Sequence, residues 1–371
     1  MENCSSINSS ALSVLAPVLQ NMNALHTLSI TVFGAKKVQS RSIQTFFTSL
    51  KDLKRLKNFT FNLGKCEIDA PDPDPISQGL LLLSKSSPLE TLVIRYHANS
   101  RDNALEKLSG TLQNFPSLKN LSIDLSENTL ISDKGLSKLS SGLQNLQSLS
   151  SLQIKLSHTT RLASPVKIIG TMIKPLQNLT SLRLDFAWNQ SIDDSQITCF
   201  SPFLQGLTKL KQLNLDFTGL AKVSDKGLSA LANSLQNLIN LHNLQLNLAS
   251  LRMMTNKTIL DLSCGLTKLE KLNYLGVNLN GNRSLDKEGM DGLGMAFQSM
   301  NLLEEVYFSF DNCHGLGAEE ESFEVFFKGL GELKFLKKII VNAPWSETGV
   351  DAAQKIKHVR DQNVCWSFLE S

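Results

Sequence analysis

Three stretches of the sequence hold residue types that could do chemistry. Cys313-His314 stands a few residues before Glu319, Glu320 and Glu321, a mixture of soft and hard metal ligands in one loop. The spacing matches no standard site, so a structural or solvated role is favoured. Asp69, Asp72 and Asp74 in "CEIDAPDPDPISQG" suggest Ca²⁺. Their spacing is not that of an EF-hand loop, and the intervening prolines restrict wrapping around an ion. A rigid surface loop is expected instead. Gly292-Leu-Gly294 is a lone Gly-x-Gly inside a helical stretch and carries no weight.

No phosphate-binding GxxxxGK[ST], no GxSxG nucleophile elbow and no kinase motif set occurs. His26, His97, His158, His242, His314 and His358 are dispersed, and each is read as structural or solvated. Cys4, Cys66, Cys199, Cys264, Cys313 and Cys365 are equally scattered, with no CxxC or Cys/His metal spacing. They read as reduced thiols in a cytoplasmic protein. No catalytic, cofactor-binding or metal-ligating residue is assigned, and an enzyme is not expected.

What would position any functional residue is a repeat. The pattern L-x-x-L-x-L-x-L, with other apolar residues allowed in the Leu slots, begins at Leu25, Leu56, Leu89, Leu118, Leu149, Leu179, Leu210, Leu241, Leu272, Leu303 and Leu336. Successive steps lie between 29 and 33 residues. One half of each period alternates, as in Leu152, Ile154 and Leu156 with Gln153 and Lys155 between them. That predicts a short strand with one buried face. The other half, "SDKGLSKLSSGLQNL", sets Leu136, Leu139, Leu143 and Leu146 on one stripe of a helix. Ser132 or Asp133 is expected to cap it. Asn145, which recurs as Asn21, Asn114, Asn178 and Asn237, is expected to end the helix in the left-handed conformation.

Neither half buries its apolar face alone, but stacked repeats bury both. Parallel strands sit about 4.8 Å apart and helices are about 10 Å across. The two layers cannot advance together on a straight line. An α/β solenoid curved like a horseshoe is predicted, with about 11 repeats of about 31 residues, a concave parallel sheet and helices on the convex side. Residues 1–371 read as one domain: a helical cap over 1–24, repeats over 25–341 and a cap over 342–371, including a closing strand around Val364, Trp366 and Phe368. No Lys or Arg precedes the first apolar stretch and no run of eighteen apolar residues occurs, so neither a signal peptide nor membrane insertion is expected.

The repeat resembles the leucine-rich repeat family. Its length and clear helical half are similar to the ribonuclease-inhibitor-like class, and its Asn- and Lys-rich style with "LQNL" phrases is similar to ciliate and other protist members. The family's Asn soon after the strand stands at Asn128 and Asn189 and is irregular elsewhere.

Function is then expected on the surface. Outward strand slots hold Arg95, Asp124, Lys155, Arg183, Asp185, Asp216, Asn247, Tyr274 and Tyr307. Arg95, Arg183, Tyr274 and Tyr307 are the expected anchors, because Arg and Tyr dominate interface hot spots. A solvated face with Asn and Asp bonding across strands is the alternative. Charge also divides along the chain: residues 1–65 carry eight Lys and Arg against two acids, and residues 286–324 carry ten acids against Lys287. Lys36, Lys37, Lys51, Lys54 and Arg55 form a candidate basic docking end, and head-to-tail contact between copies is one use of the division. Nucleic acid is not favoured, because the pattern buries most of the nearby aromatics. The composition and repeat thus point to a non-enzymatic protein-interaction scaffold. The alternatives are a structural subunit of a large cytoskeletal or ciliary assembly, and an adaptor such as a ubiquitin-ligase substrate receptor or GTPase regulator.

Overall fold

The computed structural model describes residues 10–32, 34–35, 38–64, 66, 68, 74–96, 98–316 and 320–342. The chain divides into two compact units, Met1–Leu179 and Thr180–Ser371.

The first unit alternates helix and strand in sequence order: α1 (Ser10–Leu19), β1 (Thr27–Thr31), α2 (Ser40–Ser49), β2 (Asn58–Asn62), α3 (Pro75–Ser84), β3 (Thr91–Arg95), α4 (Asp102–Leu112), β4 (Asn120–Asp124), α5 (Asp133–Leu143), β5 (Ser151–Lys155) and α6 (Pro165–Ile173). Each strand pairs in parallel with the next, and equivalent residues face each other, as in Leu121 opposite Leu152. The second unit continues the scheme: β6 (Ser181–Asp185), α7 (Asp194–Gln205), β7 (Gln212–Asp216), α8 (Asp225–Leu235), β8 (Asn243–Asn247), α9 (Asn256–Leu266), β9 (Tyr274–Asn278), α10 (Lys287–Ala296), β10 (Glu305–Ser309), α11 (Glu324–Glu332) and β11 (Lys338–Asn342). Its strands are parallel and in the same register from β6 to β11. The predicted α/β solenoid is the observed fold.

The core is built from the positions the repeat marks as apolar. Leu152, Ile154 and Leu156 are buried, as are Leu136, Leu139 and Leu143 of the helix and Leu146 just beyond it. Burying one such side chain stabilises by about 1.5–3 kcal/mol, and each period repeats the set. Two aromatic clusters interrupt the aliphatic core. Phe46, Phe47, Phe59 and Phe61 meet in the first unit with ring centroids 5.1–6.1 Å apart. Phe297, Phe308, Phe310 and Phe326 meet in the second.

Ser132 caps α5 as expected: its hydroxyl accepts from the Lys134 amide. Asp133 has another task. The first helical acid of one repeat reaches forward to the cap of the next. Asp102 accepts from the Ser132 amide at 2.7 Å and its hydroxyl at 2.6 Å. In the second unit Asp194 does the same with Ser224 at 2.8 and 2.6 Å, and Asp225 with Thr255 at 2.9 and 2.7 Å. This clasp explains the glycine in "SDKGL". A Cβ on Gly135 would lie 2.4 Å from Asp102 Oδ1, and one on Gly227 would lie 2.6 Å from Asp194 Oδ1.

Two expectations need correction. None of Asn21, Asn114, Asn145, Asn178 and Asn237 is left-handed. Helices α4, α5, α6 and α8 end through right-handed residues, and Asn114 donates its amide back to Gly110 and Thr111 instead. The left-handed position is the third residue after the strand, at Gly34, Glu127, His158, Trp188, Gly219, Ser250, Gly281 and Asn312. Asp74 is not a surface-loop residue. It is buried and caps α3, accepting from the Ser77 amide at 2.9 Å. Burial raises its carboxyl above the ordinary value, and the hydrogen bonds from Ser77 only partly oppose this. Asp69 and Asp72, and the proposed closing strand beyond Asn342, lie outside the described residues.

Candidate partner-binding face

The strands expose every second residue, and those residues form the face on which the candidate site stands. Position five of the strand holds most of the predicted Asp and Asn residues. Their first task is local. Asp124 Oδ1 accepts from the Ser126 amide at 3.0 Å, Asp185 from Ala187 at 3.0 Å, and Asp216 from Thr218 at 2.9 Å. Asn247 accepts more weakly from Ala249 at 3.4 Å. An acceptor two residues before the amide it binds turns the chain out of the strand. Cross-strand bonding is also present: Asn247 donates to Asp216 at 3.0 Å. These residues are turn-formers first and surface second.

The predicted anchors differ in what they meet. Arg95 is occupied: its Nε lies 3.5 Å from Asp124 and its Nη2 lies 3.7 Å from Glu127. It also lies across Gly64, where a Cβ would sit 3.0 Å from Nε. Lys155 is half-buried beside Asp124 in strand register. Arg183 is exposed at the centre of β6. Tyr274 and Tyr307 come together in the second unit. Gly276 lies opposite both Gln245 and Tyr307, and Tyr274 folds over it, so that a Gly276 Cβ would stand 2.9 Å from the Tyr274 hydroxyl. The result is a cleft of about 250 Å³ lined by Gln245, Leu246, Asn247, Tyr274, Gly276, Asn278 and Tyr307. None of these lining side chains is charged, but acids stand around them. Burial raises the Tyr274 hydroxyl above its ordinary value, and Glu305 and Tyr307 raise it further.

Lys51, Lys54 and Arg55 are exposed but lie between α2 and β2, away from the strand positions. Lys36 and Lys37 lie outside the described residues. Sequence reasoning missed Trp188, which is 45% exposed at the left-handed position after β6. Its ring covers Gly219, whose Cβ would fall 2.4 Å from it. A large aromatic in a left-handed slot that Gly and polar residues otherwise fill was the available signal.

The cysteine–histidine loop has a structural explanation. Cys313 is buried and donates to the Leu279 carbonyl at 3.1 Å, thirty-four residues earlier. Burial pushes its thiol up to about 11, so it stays protonated and donating. Cys66 does the same to Val32 at 3.2 Å. Both occupy the slot that Asn128 and Asn189 hold, four residues after the strand. Asn282, which the sequence reading passed over, fills that slot too and donates to Leu248 at 2.8 Å and Leu279 at 2.7 Å. His314 is exposed. Among the described residues no three His, Cys, Asp or Glu side chains group as metal ligands. No described helix is long and apolar enough to cross a membrane.

Parallel five-residue strands, a helix in each period of about 31 residues and an Asn/Cys ladder behind the strands define a leucine-rich-repeat type solenoid. No family model and no curated protein matches the sequence. Among solved structures, the chain is similar to one in the crystal structure of the Rad7 and Elc1 complex in yeast. The TM-score is 0.56 at 19% identity, over 92% of this chain and 74% of that one. At that identity the likeness is one of fold.

Proposed function

We propose that this chain is a non-enzymatic scaffold that binds other proteins through the exposed face of its strands. One observation carries the reading: the strands hold a pre-formed cleft with two tyrosines on a hydrogen-bonded floor. A rigid surface of this kind needs little ordering when a partner binds. The fold-mate comes from a complex of two proteins, Rad7 and Elc1, which favours an adaptor as the particular form of scaffold. A ubiquitin-ligase receptor and a GTPase regulator are both adaptors of this kind. A subunit of a cytoskeletal or ciliary assembly is the other form, in which the chain would be clamped permanently among several proteins. The repeat length and helical half support placement in the ribonuclease-inhibitor-like class, and the Asn- and Lys-rich style supports a protist-like origin. A cytoplasmic setting suits the cysteines, two of which act as buried thiol donors.

Site-specific photo-crosslinking in the native cell type tests the reading. A crosslinker at Arg183 or Tyr307 on the strand face is expected to yield discrete protein adducts. One at Met295, 62% exposed on α10, is expected to yield few. Adducts from Met295 alone would move binding to the helices. A turnover activity of the purified chain, abolished by one substitution, would replace the scaffold with an enzyme. A stoichiometric complex that survives purification favours the assembly subunit, and transient adducts favour the adaptor. Reversing the charge of Lys51, Lys54 and Arg55 is expected to weaken a salt-sensitive contact; unchanged affinity removes the basic docking end.

A further inference from the structure

We propose that the cleft over Gly276 receives an arginine side chain, carried on an extended segment of a partner protein, with its guanidinium against the Tyr274 and Tyr307 rings. The inference rests on the scaffold reading and names the chemistry of its occupant.

Size is the first argument. A cleft of about 250 Å³ lies below the range of roughly 300–1,000 Å³ typical of small-molecule and cofactor sites. It suits one side chain. The opening exists because Gly276 is bare where the equivalent strand positions hold Gln245 and Tyr307.

Charge is the second. The lining itself carries no charge, and the carboxylates near it are negative. Asp216 is joined to the lining through Asn247 at 3.0 Å. Glu305 stands opposite Tyr274 in register and acts on its hydroxyl. Lys338, opposite Glu305 on β11, does not line the cleft. An anion would meet acids here, and a purely apolar side chain would leave the amides of Gln245, Asn247 and Asn278 facing it.

Geometry is the third. Two tyrosine rings beside amide oxygens suit a flat cation that stacks by its face and donates from its edge. Guanidinium is planar and more weakly hydrated than ammonium, so it loses less on leaving water. Arginine is therefore favoured over lysine.

The protein has three tyrosines, and Tyr96 is buried in the first unit. Ring-labelled tyrosine NMR thus carries its own control. The probe is a capped heptapeptide of Gly and Ser with one central arginine, compared with peptides holding citrulline or glutamate there. The arginine peptide is expected to shift Tyr274 and Tyr307 saturably and leave Tyr96 unmoved. The citrulline peptide is expected to bind about tenfold more weakly, since only the charge is lost. Gly276→Ala fills the floor by displacing only the tip of Tyr274, and is expected to weaken the arginine peptide by a similar factor with Tyr96 unchanged. Tyr307→Leu removes one ring face and should reduce the response too. The proposal is overturned by equal binding of the citrulline peptide, by a preference for glutamate, by an unaltered Gly276→Ala response, or by no shift up to about 10 mM peptide. Such a failure alongside persistent crosslinks from Arg183 or Tyr307 would refute the occupant and leave the scaffold standing.

Discussion

The strand faces of the two units place their large side chains differently. In the first, Arg95 lies over Gly64 and is held by Asp124 and Glu127. In the second, Tyr274 lies over Gly276 beside Tyr307, and no side chain of either sign lines the space between. A partner at the first site must break existing ion pairs before making new ones. A partner at the second meets rings already in place. Behind both faces the framework is the same: an acid clasps the next helix cap, and an Asn or Cys donates to strand-end carbonyls. Function is thus expected where the faces diverge, and stability where the framework repeats.

The sharpest test of the shared framework is its asparagine ladder. Asn128 accepts from Leu130 and Ile131 and donates to Ser100, and Asn282 accepts from Leu251 and donates to Leu248 and Leu279. Replacing either by Ala is expected to cost about 3 kcal/mol in urea unfolding, because several buried groups lose partners together. A large effect at one and none at the other would break the equivalence. The clasps should follow with smaller losses. Asp102→Ala and Asp194→Ala are each expected to cost about 1–2 kcal/mol, since both sites are partly exposed.

The divergence of the faces is probed next. Arg95→Ala should change stability by less than about 1 kcal/mol, because the pairs it leaves are partly exposed. It should also leave partner affinity nearly unchanged, whereas Tyr307→Ala is expected to weaken it about tenfold. Surface plasmon resonance with a crosslinked partner measures both, and the reverse order would invert the comparison.

The smallest effects are with pH, and they bound the framework from both sides. Burial raises the Asp225 carboxyl, but hydrogen bonds from Thr255 and Thr258 outweigh it and the net shift is downward. A lowered carboxyl stabilises the fold above its unfolded value of 3.8, and that contribution is lost as pH falls. Cys313 is shifted upward from 9.0 to about 11, so its contribution is full below pH 9 and fades as pH rises toward 11. Thermal midpoints across pH are expected to fall at both ends. Cys313→Ala should flatten the alkaline fall, and Asp225→Asn should flatten the acid one.

Much of this was legible from one sequence. Alternating Leu152, Ile154 and Leu156, the stripe of Leu136, Leu139 and Leu143, and the cap at Ser132 all stand where their spacing put them. The helix-ending role of Asn145 failed because Asn tolerates several conformations, and backbone geometry chose a different left-handed residue. Cys313 beside His314 looked like chemistry only because sequence neighbours were visible. The partner that explains the thiol is a carbonyl thirty-four residues away.

The periodicity alone determined the architecture, since a repeat that leaves both halves with an apolar face has few ways to bury them. It also determined which slots point outward. The tertiary structure decided what those slots meet. Arg95 is neutralised by Asp124 and Glu127 from the period that follows it, and the Cys313 thiol meets a carbonyl thirty-four residues back. Stacking makes such residues neighbours, and a pattern local to one period does not contain them.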